Sequence, residues 1–201
     1  MCGIAGIMTT DGRAPDQAAL DALQDALRHR GPDGVGQHLG EGVGVGVGLV
    51  HTRLAIIDLK TGDQPFQSPD GTALIANAEI YNYLELRETL TDGPGNIQLQ
   101  TQSDCEPALY LYRRDGIEFA NQLRGMYAIA IHDPNEGQLL LSRDPFGIKP
   151  LYYVEGDFGF AFASEPTALV KAGLVAPGIV EQPLHELLQM QFTTGRQTIH
   201  P

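Results

Sequence analysis

Residues 126–164 read as four apolar runs, MYAIAIHD, GQLLLSRD, PLYYVEG and FGFAFAS, parted only by PNEG, PFGIK and EGD. Runs of this length, rich in β-branched and aromatic residues and bounded by Gly, Pro, Asn and Asp, are strands closed by turns. Helical patterns fall elsewhere. APDQAALDALQDALRHR (14–30) puts Ala18, Ala19, Leu20, Leu23, Ala26 and Leu27 on one helix face before the turn-rich RGPDG. NYLELRETL, SDCEPALYLYRRDG, EPTALVKAG and LHELLQMQF read as further short helices, with Ser103 and Glu106 at capping-box spacing. CGIAGIM and TALIANAEIYN add strands. So does GVGVGVGLVHTRLAIID, where Val43, Val45 and Val47 alternate with glycines that mark close approach of another backbone. Strands and helices in separate runs, without regular alternation, predict an α+β chain with mostly antiparallel sheets.

Composition excludes several classes. With 42% hydrophobic and 19% charged residues over 201 positions, the chain is too apolar to be disordered. Its formal charge of −12 repels phosphate backbones and anionic lipid, so no nucleic acid and no membrane partner is expected. No apolar run approaches the ~20 residues of a membrane span. MCGIAGIMTTDG is short and lacks the basic flank of a signal peptide, so a cytoplasmic protein is expected. Cys2 and Cys105 make neither a disulfide framework nor a zinc site. The histidines at 29, 38, 51, 132, 185 and 200 form no HxH or HExxH pair, and GxSxG, GxGxxG and GK[ST] are missing. Metal: none is the expectation.

What remains is a thiol directly behind the start methionine and six polar segments where strands meet loops. They are RHRGPDG (28–34), HTRLAIIDL (51–59), GDQPF (62–66), NAEIYNY (77–83), SDCE (103–106) and SRDPFGIKPLYY (142–153). Behind MCGIAG and in this order, with ASEPTAL closing the set, they resemble the class II glutamine amidotransferase domain. This is the N-terminal-nucleophile glutaminase half of asparagine synthetase-like enzymes. The resemblance runs from Cys2 to about Leu169.

The resemblance implies a four-layer αββα sandwich, two antiparallel sheets face to face with helices outside. It also implies removal of Met1, so that Cys2 carries both nucleophile and base. A chain-terminal amine titrates near ~8 and a thiol near ~8.5, so the amine can take the thiol proton and later protonate the leaving group. By the same resemblance Arg53 grips the α-carboxylate of L-glutamine as a bidentate fork. Asp104 binds its α-ammonium, and Glu79 with the backbone of 54–57 (Leu54, Ile56 and Ile57 included) completes the pocket. Asn77 and the N–H of Ala78 cradle the oxyanion. Ala78 replaces the family's usual glycine. A positive φ there would cost on the order of 1–2 kcal/mol, leaving either a slower site or a decayed one.

Arg143, Asp144 and Lys149 are assigned to buried ion pairing and turn geometry. Cys105 is read as a helix residue without chemistry, and Tyr81, Tyr83, Tyr152 and Tyr153 as packing. Residues 2–175 are expected to form the glutaminase domain, and 176–201 a connector toward an absent synthetase domain. ATP and Mg are expected only there, with no cofactor in this domain. The ammonia acceptor is a synthetase domain or subunit, and homo-oligomerisation stays open. Three outcomes compete with one another: an uncoupled glutaminase, a subunit feeding a synthetase, and a catalytically weak or inactive domain with a regulatory or interaction role. A terminal-nucleophile amidase for another amide is a weaker fourth.

Overall fold

A computed structural model describes residues 1–93, 96–195 and 197–201. Arg196, inside the expected connector, lies outside the described residues. Among these residues the elements run β1 (Gly3–Thr9), α1 (Gln17–Leu27), β2 (Gly34–Gly42), β3 (Val45–Arg53), β4 (Phe66–Gln67), β5 (Ala73–Ile80), α2 (Tyr83–Thr91) and α3 (Glu106–Asp115). A 3-10 helix (Gly116–Gln122) follows, then β6 (Gly125–Asp133), β7 (Gln138–Arg143), β8 (Tyr152–Gly156), β9 (Gly159–Ala163), α4 (Pro166–Lys171) and α5 (Glu181–Met190). One antiparallel sheet has the order β2-β3-β1-β9-β8, the other β4-β5-β6-β7.

Alternation along the strands builds the layers, since successive side chains point to opposite faces. In β1, Ala5 and Ile7 face α1 and α4, where they meet Leu20, Leu23, Leu27 and Leu169, while Ile4 and Met8 face the second sheet. In β5 and β6, Leu74, Ala76, Ile80, Tyr127, Ile129 and Ile131 pack under α2, α3 and the 3-10 helix. Ala73, Ile75, Ala128 and Ala130 turn inward against Val47, Leu49 and Phe162. The result is helix, sheet, sheet, helix, the four-layer α+β sandwich.

Several local expectations need correction. The GVGVG strand starts at Val45, because Val43 and Gly44 form the hairpin turn, with Gly44 at φ 75° and Val43 80% exposed. The close approach expected at the glycines is present. A Cβ at Gly46 would overlap the Arg13 carbonyl, and one at Gly48 would meet Leu20 of α1. No capping box forms at Ser103, since α3 begins three residues later. The Ser103 hydroxyl accepts from the Cys105 N–H, and Glu106 accepts from the amides of Gln100 and Thr101. Ala18, Tyr81 and Tyr153 are exposed rather than packed, Tyr153 with one face stacked on Phe160. Among the described residues no helix is long and apolar enough to cross a membrane.

PFGIK does not close a hairpin. It carries the chain from β7 in one sheet to β8 in the other. Asp144 shapes this crossing by accepting from the N–H groups of Tyr127, Phe146, Ile148 and Lys149. Arg143 donates to the carbonyls of Lys149 and Gly147. The expected ion pairs among Arg143, Asp144 and Lys149 are thus replaced by side-chain to backbone bonds, which fix a turn more firmly than flexible charged tips would.

Burial sets an acid limit on the fold. His51 in β3 is 1% exposed, its Nε2 has no partner among the described residues, and burial lowers its pKa to about 4. His132 is lowered to about 4 for the same reason. A depressed histidine pKa means that the unfolded chain binds the proton first. For His51, stability is therefore complete above pH ~6.5 and falls as pH drops toward 4, by roughly 3 kcal/mol, and His132 adds a loss of the same sign. Denaturant midpoints between pH 7 and 4.5 should decline accordingly, and His51→Gln should flatten the decline; an unchanged slope would refute the assignment.

Candidate active site

β1 begins and β3 and β5 end at one rim of the sandwich, and there a cavity of about 300 Å³ opens. Cys2, immediately before β1, lines it with Arg53 and Leu54 at the end of β3 and Asn77, Ala78 and Glu79 in β5. Ile56, Ile57, Asp104 and Cys105 complete its middle. All nine expected site residues therefore share one cavity.

The half-buried Cys2 is held from two sides. Its Sγ lies 3.4 Å from the Leu54 N–H that donates to it and 3.7 Å from the Leu54 carbonyl. Arg30 Nε donates to the Cys2 carbonyl at 3.0 Å, and Arg30 Nη1 pairs with Glu165 at 2.8 Å. RHRGPDG and ASEPTAL thereby fix the start of β1, with Ser164 Oγ accepting from the Ile4 N–H at 3.0 Å.

Asn77 and Ala78 offer two donors. Asn77 is 2% exposed and its buried Nδ2 has no partner among the described residues. An unpaired buried amide is unfavourable by about 1–3 kcal/mol, so its persistence beside a thiol calls for a functional reason. On the outer edge of β5, the Ala76 N–H donates to Gln64 and the Ile80 N–H to Asp104. Ala78 lies between them with the same orientation, because Tyr127 opposite directs its own N–H and carbonyl to Asp144. Its N–H has no partner among the described residues. The positive-φ residues other than glycine are Asp58, Asn96 and Gln191, so Ala78 is ordinary strand and the feared strain does not arise.

Asp104 is 5% exposed and has no cation within ion-pair distance among the described residues. Burial raises its pKa, against the Ile80 N–H bond that lowers it. Such a carboxylate is ready for an ammonium. Arg53 is differently placed from expectation. Its Nη1 pairs with Asp63 at 2.7 Å, and Nη2 donates to the carbonyls of Ile57 and Asp58, so a free fork is not preformed. Asp58, at φ 53°, ties this loop down by accepting from Thr61 and, at 2.7 Å, from Gln102 next to Asp104. Burial pushes its carboxyl up, but the bonds from Thr61, Gln102 and Lys60 prevail and hold it at about 2. Glu79 stands exposed at the rim.

Sequence reasoning gave no pocket role to Gly62, Gln64, Ser103, Cys105, Met126, Ile148 or Lys149, which also line the cavity. Each except Met126 lies in a quoted polar segment. Cys105 precedes α3 rather than lying within it, and its Sγ donates to Asp104 at 3.6 Å. Among the described residues no group of three His, Cys, Asp or Glu could hold a metal ion.

Residues 1–201 match the family described as "Glutamine amidotransferase domain". "Asparagine synthetase [glutamine-hydrolyzing] 2" of Bacillus subtilis (strain 168) is 40% identical over 173 residues, covering 84% of this chain and 22% of that protein. "Asparagine synthetase [glutamine-hydrolyzing] 1" of the same organism is 39% identical over 206 residues, 99% of this chain and 31% of that one. The chain thus spans about a fifth to a third of the length of such relatives. Among solved structures, the "allosteric regulatory enzyme of purine biosynthesis" superposes with a TM-score of 0.66 at 26% identity, covering 86% of this chain and 43% of its own. "Glutamine phosphoribosylpyrophosphate (PRPP) amidotransferase from B. subtilis" gives 0.62 at 25%, covering 86% and 44%.

Proposed function

Because the chain belongs to the glutamine amidotransferase domain family, we propose that it hydrolyses L-glutamine to glutamate and ammonia through a Cys2 thioester. The observation that carries the reading is the buried Asn77 Nδ2, without a partner among the described residues and on the same cavity as Cys2.

With Met1 removed, the Cys2 amine takes the Sγ proton, and the thiolate adds to the side-chain amide carbon (Cδ) of glutamine. The carbonyl π pair moves to oxygen, which accepts from Asn77 Nδ2 and the Ala78 N–H. The Cys2 ammonium returns its proton to the amide nitrogen. The C–N bond breaks, ammonia leaves and the thioester remains. Water, deprotonated by the same amine, adds next; the C–S bond breaks and glutamate leaves with the thiol restored. Asp104 takes the α-ammonium and Glu79 closes the rim. Arg53, with N–H groups left beyond its Asp63 pair, takes the α-carboxylate, and the backbone of 54–57 walls the side chain.

The similarity to glutamine-hydrolysing asparagine synthetases supports a synthetase as the ammonia acceptor; in this proposal residues 2–175 carry the glutaminase and 176–201 lead toward an ATP-dependent acceptor in the cytoplasm. ATP and Mg belong to that acceptor. The glutaminase steps draw on this chain's own residues.

Incubated with glutamine, the processed chain should release glutamate and ammonia one to one. Ala78→Gly should leave the rate within about threefold, because the N–H donor and strand geometry persist, while stability falls by about 1 kcal/mol. A tenfold or greater gain on restoring glycine would instead favour a decayed site with a regulatory role.

A further inference from the structure

Two basic side chains line the cavity, and they are held in opposite ways. Arg53 is paired with Asp63. Lys149 is 6% exposed, yet its ammonium makes no ion pair or hydrogen bond with any described residue. Only its backbone is fixed, the N–H donating to Asp144 and the carbonyl accepting from Arg143. The ammonium is not among the buried side-chain atoms left without a partner, so it opens on the solvent of the cavity rather than into the core. A cation that faces a binding cavity with no counter-ion among the described residues is available to an anion.

Its position says which anion. Asp144, which holds the Lys149 N–H, also holds Tyr127, and Tyr127 stands opposite Ala78 in the β5–β6 ladder. Lys149 thus enters the cavity from the β6 side, with Met126, at the strand that presents Asn77 and Ala78. The carboxylates of the cavity, Asp104 and Glu79, are reserved for the substrate's α-ammonium in the reading above. Besides the Cys2 amine, the cations that line the cavity among the described residues are Arg53 and Lys149, and Arg53 is already paired.

We propose that Lys149 binds the negative charge produced at the side-chain amide carbon: the oxyanion of the tetrahedral species and then the side-chain carboxylate of glutamate. The inference rests on the glutaminase reading. Lys149 stays protonated throughout and moves no proton. A neutral amide gains little from it, whereas the oxyanion and the new carboxylate gain a charge-assisted contact. Binding is thereby shifted from substrate toward transition state and product.

The test measures glutamate affinity by calorimetry, and kcat and KM for ammonia release, in the parent chain, Lys149→Met and Lys149→Arg. Lys149→Met should weaken glutamate binding about tenfold or more and lower kcat about tenfold, with KM for glutamine within about threefold. Lys149→Arg should recover most of the glutamate affinity. Unchanged glutamate affinity in Lys149→Met overturns the proposal, as does an equal weakening of glutamine and glutamate, or a parent that binds no glutamate. A parent that binds glutamate through Lys149 but releases no ammonia sinks the glutaminase reading and upholds the anion contact. Turnover of glutamine with Lys149-independent glutamate binding sinks the Lys149 proposal alone.

Discussion

Cys2→Ala is expected to lower glutamine turnover by about 10⁴-fold or more, because the variant keeps the amine and the oxyanion donors but has no atom to form the thioester. The loss should come without unfolding. Cys2 is only half-buried, and its Sγ contributes long contacts to Leu54, while the stronger anchors of this segment are backbone bonds to Arg30 and Ser164. Cys105 cannot stand in for it. Burial, with the Asp104 carboxylate adding to it, pushes that thiol well above its ordinary range, which leaves little thiolate at neutral pH. Cys105→Ala should therefore keep measurable turnover. Steady-state ammonia release with thermal melts decides the point: a Cys2→Ala chain that still turns over near the parent rate would refute the nucleophile assignment.

Asn77→Ala should be the second largest effect. Removing one preorganised donor lowers kcat by about 10²–10³-fold, or roughly 3–4 kcal/mol of transition-state stabilisation, with KM little changed. The stability result should have the unusual sign. Asn77 Nδ2 is buried without a partner among the described residues, so its removal relieves an unfavourable group, and the melting temperature should hold or rise. A structural asparagine would behave oppositely, with a lowered melting temperature and unaltered kcat. Measuring both quantities on one preparation separates the two cases.

Most of the fold was legible because buried strands and amphipathic helices announce themselves by period. β6, β7, β8 and β9 each fall within a run that alternates or stays apolar. β2 did not, and its residues explain why. GVGQHLGEG sits at a sheet edge with Val35 and Leu39 about half exposed, so nothing forces an apolar alternation on it. The PFGIK crossing was equally hidden. Turn chemistry reads the same whether a chain returns to its own sheet or passes to the next, and only the Asp144 hub tells them apart.

The candidate site was legible for a different reason. Periodicity places no residue in a pocket, but the resemblance carried Cys2, Arg53, Asn77, Ala78, Glu79 and Asp104 to one rim of the sandwich. Gln64 and Lys149 were missed although both lie in quoted motifs. Their roles depend on what their side chains do or do not touch. Gln64 accepts from the Ala76 N–H and donates to its carbonyl, taking the place of a strand neighbour, and the Lys149 ammonium has no ion-pair or hydrogen-bond partner among the described residues. The pairing of Arg53 with Asp63 was invisible for the same reason, since residues 54–62 form a loop whose course the sequence does not encode locally.

The account depends on Cys2 being a nucleophile whose own free amine activates it. Intact-mass spectrometry after treatment with a glutamine-mimicking diazo-ketone tests this directly. The account predicts a chain lacking Met1 that gains one adduct, located at Cys2, and no adduct on chains that retain Met1. Equal labelling of Met1-retaining chains, or an adduct at Cys105 with Cys2 untouched, would contradict it.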